Sequence, residues 1–387
     1  MITAEVVIIG GGVIGASVAY HLAARGVREV LVLERGAAPG AGSTGRATGG
    51  FRAQFGTEVN VRLSLLSREK LLRFEEETGV DPGFRQSGYL FVASREEELR
   101  ELVNAQTVQR ACGFAEAREV CVEEVARLNP AWNVEGLAGG VYCPADGFIR
   151  PTEIMRGYAE AAGRLGARFL YGVAVEGSRV VGEKVGSLLT GAGEVSAGAF
   201  VNAAGAWAGE VARLLGTEVP VTPLRRQVAV TTPTDILPDG MPMTISVGDG
   251  FHLRVRDGRV LLLWPDGPRA GADPFDTSVD EDWLKTVVAK ARANVPCLKG
   301  VGIDRAACWA GLYEMSPDRH AILGRAQGPE NVYLVNGSSG HGVMHAPALG
   351  QLLAEIILDG RAHALDVHAL RPSRFAEGRP NVGPDLL

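Results

Sequence analysis

Cysteine is scarce. Five occur in 387 residues (Cys112, Cys121, Cys143, Cys297, Cys308), with no CxxC pair and no metal-ligand spacing. That excludes a disulfide framework and a cysteine zinc site, and predicts reduced thiols in a cytosolic protein. There is no HExxH and no Ser/His/Asp order, so hydrolase and metalloenzyme readings have nothing to stand on and no metal is expected. Blocks of like charge are also absent and the net charge is a mild −6, which removes the case for a nucleic-acid groove. The opening apolar run is too short and too broken by glycine to cross a bilayer, and no basic segment precedes it. A soluble, cytoplasmic chain is expected.

What the chain has is glycine, 51 of them, in a sequence 46% apolar and long enough for two domains. The most informative cluster is at the start. Glu5 to Ile9 reads as a strand, Gly10-Gly11-Gly12-Val13-Ile14-Gly15 as a tight turn, the small residues after it as a helix, and Val30 to Leu33 as a second strand ending in Glu34. Gly10 permits the turn, Gly12 lets backbone approach a pyrophosphate, and Gly15 lets helix and strand pack closely. The helix N-terminus offers free N–H groups to phosphate, and Glu34 suits a ribose diol. This is a dinucleotide-binding βαβ unit.

A second glycine-rich segment, Gly40 to Gly50, carries Ser43 and Thr44 and runs into Phe51-Arg52. Val61 to Glu77 has helical spacing and stops at Gly79; Pro151 opens a helix that runs through Leu165 to Gly166. Between them, residues 81–143 hold a short strand (Tyr89 to Ala93), charged helices and a turn at Asn129-Pro130. Phe200 to Trp207 re-enters a parallel sheet, and Pro220 to about Asp304 reads as β-rich. The clearest piece there is a hairpin of Phe251 to Val255 and Val260 to Trp264 about Asp257-Gly258. One face of it carries Phe251, Leu253 and Val255; the other carries His252, Arg254 and Arg256 and is expected to be solvated, with His252 and Arg254 lining a substrate cavity as the alternative. A strand at Val332 to Val335, the turn Asn336 to Gly342 and a helix from about Val343 repeat the logic of the opening turn. A second anion-favouring helix end needs a second anion, for which a reduced flavin ring is a candidate.

Five stretches together resemble the FAD-dependent amine oxidoreductases of the D-amino-acid oxidase and glycine oxidase superfamily. They are the opening fingerprint, Gly42-Ser43-Thr44 with Gly49-Gly50-Phe51-Arg52, Val201 to Trp207 (VNAAGAW), Ala310 to Asp318 (AGLYEMSPD) and Gly337 to Gly342 (GSSGHG). The GGFRAQF and AGLYEMSPD runs are most similar to the β subunits of sarcosine oxidase and bacterial proline dehydrogenase. The resemblance implies an α/β fold: a Rossmann-type FAD-binding domain from residues 1–80, 147–217 and 305–370, and a β-sheet-rich substrate domain from 81–146 and 218–304. Residues 371–387 are left as a C-terminal tail.

By that resemblance FAD lies extended along the first domain. Gly10, Gly12 and Gly15, with Val13 and Ile14 between them, would meet the pyrophosphate; Glu34, with Arg35 beside it, the adenosine ribose; and the Val175 backbone the adenine. Gly42, Ser43, Thr44, Gly49 and Gly50 would run along phosphates and flavin, near Ala203, Ala204, Gly205 and Trp207. Gly337, Ser339, Gly340, His341 and Gly342, with Val343 and Met344 opening the helix, would face the flavin pyrimidine edge, where charge develops on reduction. Relatives that hold flavin through cysteine carry it where this chain has Gly311, so a non-covalent FAD is expected.

The implied reaction is oxidation of a small amino acid, a secondary amine such as sarcosine, proline or another N-substituted glycine, or glycine itself. Hydride transfers to the flavin, the imine hydrolyses, and oxygen or another acceptor takes the electrons. Arg52 is the candidate carboxylate anchor, because its planar fork pairs two oxygens. Tyr313, standing where glycine oxidases place an arginine, would assist, and His341 and His252 are further candidates. Arg225, Arg226 and Gln227 read as structural. No lysine stands near Leu261 to Asp266 to match the one tied to oxygen activation in monomeric sarcosine oxidase. A flavin subunit of a heteromeric amine dehydrogenase, a homo-oligomer, and a D-amino-acid or glycerol-3-phosphate oxidoreductase stay open as alternatives. NAD is the rival ligand for the fingerprint, disfavoured by the later glycine-rich segments.

Overall fold

The computed structural model describes residues 2–267 and 271–383. The last four positions of the expected 371–387 tail lie outside the described residues. Among the described residues two eight-stranded sheets carry the α/β fold.

The first sheet is centred on the opening strand, Ile2–Ile9, which pairs in parallel with Val30–Glu34 on one side and Gly193–Asn202 on the other. Val332–Asn336 continues the parallel set beyond Gly193–Asn202, and Arg168–Tyr171 continues it beyond Val30–Glu34. These strands are covered on both faces and therefore read as continuous aliphatic runs. Val6, Ile8, Val30 and Val32 pack into one core, while Val7, Ile9, Leu31 and Leu33 pack into another. The helix Val13–Ala24 lies between Pro151–Arg164 and Gly342–Asp359. Its contact with the last is tight: a Cβ on Gly350 would stand 2.1 Å from the Ser17 hydroxyl. Ile9, Glu34, Asn202 and Asn336 all end at the same edge of the sheet, so the turns after them converge, as expected of an open parallel sheet.

The second sheet runs Trp309–Met315, Thr222–Val230, Arg259–Leu263, His252–Arg256, Met243–Ser246, Tyr89–Ala93, Gly139–Cys143, Arg118–Val120. Trp309–Met315 pairs in register with Thr222–Val230, Arg226 opposite Gly311, although the sequence places it with the nucleotide-binding segments. The expected hairpin is present as His252–Arg256 and Arg259–Leu263, with Asp257 and Gly258 both at positive φ (54° and 69°), the arrangement a two-residue turn requires.

Three expectations are corrected. Residues 220–304 are not β throughout: Glu281–Asn294 is a helix, capped by the Asp280 side chain accepting from Trp283 N, and its Trp283, Leu284, Val287 and Ala291 pack on Phe251, Leu253 and Val255. The His252 and Arg254 face of the hairpin is consequently not solvated; it turns inward, and Arg254 is 5% exposed. The expected helix at 61–77 begins at Glu58 and is broken at Arg73 into Glu58–Leu72 and Phe74–Thr78, before Gly79 ends it at φ 77°. Among the described residues no helix is long and apolar enough to cross a membrane, and no group of His, Cys, Asp and Glu is arranged to hold a metal.

Candidate active site

A cavity of about 1200 Å³ lies between the two sheets. That exceeds the roughly 300–1,000 Å³ of ordinary small-molecule pockets, and suits an extended cofactor together with a substrate. Every cofactor residue expected from the sequence lines it except Gly15 and Gly337. Gly15 sits beneath the turn, where a Cβ would fall 1.9 Å from the Gly10 carbonyl oxygen, so it packs helix on strand and does not face phosphate. Gly337 supplies a φ of 70° to start the second turn, its Cβ position facing Ser316 and Ile322.

At the nucleotide end the wall is main chain. Gly10 adopts φ 110°, and a Cβ there would meet the Ala203 carbonyl oxygen at 2.3 Å. The opening helix has no side-chain cap of its own; instead Thr44 Oγ1 accepts from Val13 N at 3.0 Å. Ser43 differs from expectation, since its hydroxyl donates to the Leu312 carbonyl (2.7 Å) and only the rest of the residue borders the cavity. Glu34 accepts from Gly11 N (2.8 Å) and Gly36 N (2.7 Å), which uses two of about four lone-pair sites of a carboxylate and leaves others for a diol. The Arg35 guanidinium lies 3.6 Å over Trp207, itself stacked on Phe275, and Val175 borders the same end.

In the middle, Gly49 and Gly50 leave the room a side chain would fill: a Cβ on Gly50 would stand 2.1 Å from the Tyr89 hydroxyl. Arg254 fastens this loop from the second sheet, donating to the carbonyls of Thr48 and Gly49. Opposite, Gly340 at φ 92° lets the second turn pass against the Tyr313 ring, and His341 stands at the N-terminus of Gly342–Asp359 without a side-chain cap bond. Glu314 underlies this turn: its Oε1 accepts from Ser338 N at 3.2 Å, its Oε2 has no hydrogen-bond partner among the described residues, and burial pushes its carboxyl up to about 7.

The far end is built from side chains. Arg52, 4% exposed, donates to the Gln54 carbonyl (2.8 Å), lies 4.2 Å over Phe55, and reaches His341 Nε2 at 3.3 Å. Asp146, fully buried, braces this segment by accepting from Ala53 N (2.8 Å) and Gln54 Nε2 (3.0 Å). Burial raises the Asp146 carboxyl to about 6 despite those bonds and the nearby Arg52. His252 gives its Nδ1 proton to the Gly250 carbonyl (2.8 Å), which leaves a lone pair at Nε2. Burial holds this ring down at about 4, with the charges of Arg52 and Arg226 acting in the same direction. Tyr313, 38% exposed on the cavity wall, is held high by partial desolvation, with Arg226 and Arg52 opposing.

Arg226, Asp146, Glu314 and Arg254 are the groups the sequence reading left out of the site. A signal existed for Arg226: two consecutive arginines in a strand point to opposite faces, so one had to face inward. The tail is also more than a tail. Asn381, Val382 and Gly383 line the cavity, and Asn381 N and Nδ2 both donate to Asp318, which also pairs with the fully buried Arg374 at 2.8 Å.

The family model for FAD dependent oxidoreductases of the DAO type matches residues 5–356. The chain belongs to this family. It is an FAD-dependent oxidoreductase, and the side-chain-free path along Gly10, Gly12, Gly49 and Gly50, with open acceptor sites on Glu34, fits that cofactor. Among solved structures, L-proline dehydrogenase from P. horikoshii is 31% identical, covers 98% of this chain and 100% of that one, and superposes with a TM-score of 0.90. Glycine oxidase from Geobacillus kaustophilus is 26% identical over 97% of this chain and 99% of that one, with a TM-score of 0.84. Mitochondrial dimethylglycine dehydrogenase of Rattus norvegicus is 31% identical over 97% of this chain, but this chain spans only 45% of its length, about half of that relative.

Proposed function

We propose that the chain oxidises a small N-substituted amino acid, such as sarcosine, proline or another N-substituted glycine, or glycine itself, to the imine, which water then hydrolyses. The observation that carries this reading is the buried Arg52, set just after the glycine-rich loop 40–50 and stacked on Phe55. A guanidinium held out of water in a cavity wall is positioned to pair the carboxylate of an incoming amino acid. The named activities of the relatives, on proline, glycine and dimethylglycine, support the same class.

FAD, when bound, supplies the acceptor for the hydride leaving the substrate carbon. The chain's own residues do the rest. Arg52 holds the carboxylate and Tyr313 borders it. His252, neutral above about pH 4, presents its Nε2 lone pair to a substrate N–H and does not repel a cationic amine. His341 and the first turn of Gly342–Asp359 would present a positive helix end to the bound flavin, favouring the negative charge that reduction adds. The division into an FAD-binding part and a substrate part, non-covalent FAD and a cytoplasmic setting belong to this proposal, and a partner subunit or a homo-oligomer stays open as an alternative. No lysine lines the cavity among the described residues, which favours an acceptor other than oxygen.

The test is an anaerobic titration of the purified yellow protein with sarcosine, L-proline, glycine, D-alanine and glycerol 3-phosphate, followed by admission of air. Bleaching by an amine is expected, with slow return of colour. Bleaching by glycerol 3-phosphate alone would replace the amine reading.

A further inference from the structure

Two guanidinium groups, Arg226 and Arg52, stand in the wall at the far end of the cavity. Arg226 and its neighbour Arg225 leave the strand Thr222–Val230 on opposite faces. Arg225 turns to Asp276 at 2.8 Å, while Arg226 lines the cavity. The Arg226 Nη1 is spent on main chain, donating to the Asp266 carbonyl at 2.7 Å and the Arg225 carbonyl at 3.3 Å. Among the described residues its Nε and Nη2 make no hydrogen bond, and its side chain keeps 25% of its exposure. The Asp266 carboxylate is a poor counter-ion for it: Oδ1 stands off at 3.9 Å, and Oδ2 accepts from Gln227 Nε2 at 3.1 Å.

Arg226 and Arg52 share this space. Tyr313 lies within reach of both charges, its ring 5.7 Å from the Arg226 guanidinium, and His252 feels both as well. Arg319, also in the wall, adds its charge at Arg226. A simple amino acid such as sarcosine or proline brings one carboxylate, which Arg52 would take. Arg226 would then be left in a cavity from which bound substrate expels water, and a desolvated charge without a partner is costly.

We propose that Arg226 receives a second carboxylate of the substrate, so that the preferred substrate is an N-substituted amino dicarboxylate. This rests on the amino-acid oxidation reading above and narrows it. The second carboxylate sits on the substrate's side chain or on its N-substituent, and the fork of Nε and Nη2 is the geometry that pairs two oxygens.

Unreactive anions test this without turnover. Acetate and propionate, then malonate, succinate and glutarate, are titrated into the FAD-loaded protein and followed by the flavin absorbance. Of the three dianions, the one whose length matches the site binds roughly 10- to 100-fold more tightly than the monoanions. In Arg226→Gln the ratio falls to about one while FAD stays bound, and in Arg226→Lys part of it survives. Correspondingly, N-methyl-L-aspartate, N-methyl-L-glutamate or iminodiacetate reduces the flavin with a higher kcat/KM than sarcosine or L-proline. Equal affinity for monoanions and dianions in the unmodified protein overturns the proposal, whether or not the variants fold. So does an Arg226→Gln protein whose loss is of FAD itself. The two readings fail separately: a dianion preference with no amine bleaching the flavin would remove amine oxidation and keep the second anion site, whereas fast bleaching by sarcosine without dianion preference would do the reverse.

Discussion

At one end the cavity is walled largely by main chain: Gly10, Gly12 and Gly49 bring backbone to its surface, with the Glu34 carboxylate beside them. At the far end the wall is made of charged and aromatic side chains, Arg52, Arg226, His252 and Tyr313, which arrive from four separate strands and loops of the chain. The first kind of wall offers N–H groups, suited to a shape and a pyrophosphate, and tolerates almost any side chain that points away from it. The second recognises charge, and its cost is paid in desolvated guanidinium groups that must be braced from behind, as Asp146 braces the Arg52 segment. The two ends should therefore fail differently when altered.

The largest effect is expected where backbone conformation is required. Gly10→Ala places a methyl group 2.3 Å from the Ala203 carbonyl oxygen at a φ of 110°, so the turn must shift. The purified variant should lose FAD on gel filtration and appear colourless; a yellow protein of normal FAD affinity would mean that the turn is not part of the cofactor path. At the other end, Arg52→Ala should keep its FAD and lose roughly 10²- to 10³-fold in kcat/KM for carboxylate substrates, the loss of a buried charge partner. Steady-state kinetics alongside the flavin spectrum separate the two, and unchanged kinetics would take Arg52 out of the site.

The smallest effect is expected at Glu314, under the turn where the ends meet. Its carboxyl is raised by burial from 4.5 to about 7, so the folded state favours the neutral form. The stability this group contributes is complete below about pH 4.5 and is lost as pH rises through 7. A shift of that size is worth roughly 3 kcal/mol at most, a few degrees of Tm in a chain this long. Glu314→Gln should flatten the fall of Tm between pH 5 and 8 by that amount. An identical slope in both proteins would mean that Glu314 is ionised and solvated in the folded state.

Much of the nucleotide end was legible without coordinates, because its signals are local. The order strand, glycine turn, helix, strand, acid specifies its own geometry, and Gly10, Gly40, Gly49 and Gly340 do adopt the positive φ that glycine permits. The far end was legible only in part. Arg52 was found because it follows a glycine-rich loop. His252 and Arg254 share one face of their hairpin, but whether that face meets solvent or the cavity stays open in the sequence, because alternation says which residues share a face and not what covers it. The helix Glu281–Asn294 shows why. Its Asp280 cap and the spacing of Trp283, Leu284, Val287 and Ala291 were present in the sequence, but read as β, and once this helix covers Phe251, Leu253 and Val255 the opposite face can only look inward.

By itself, then, the sequence carried the resemblance that implies the family and FAD, and it put glycine where Gly10, Gly40, Gly49 and Gly340 take positive φ and Arg52 directly after a glycine-rich loop, features settled by neighbours a few residues away. Tertiary structure decided which charges face one another. Asp146 meets Ala53 and Gln54 across 92–93 residues, Arg254 meets Gly49 across 205, and Arg226 has Gly311 as its register partner in the next strand. Burial and Coulomb energy depend on those distances in space, and no spacing along the chain encodes them.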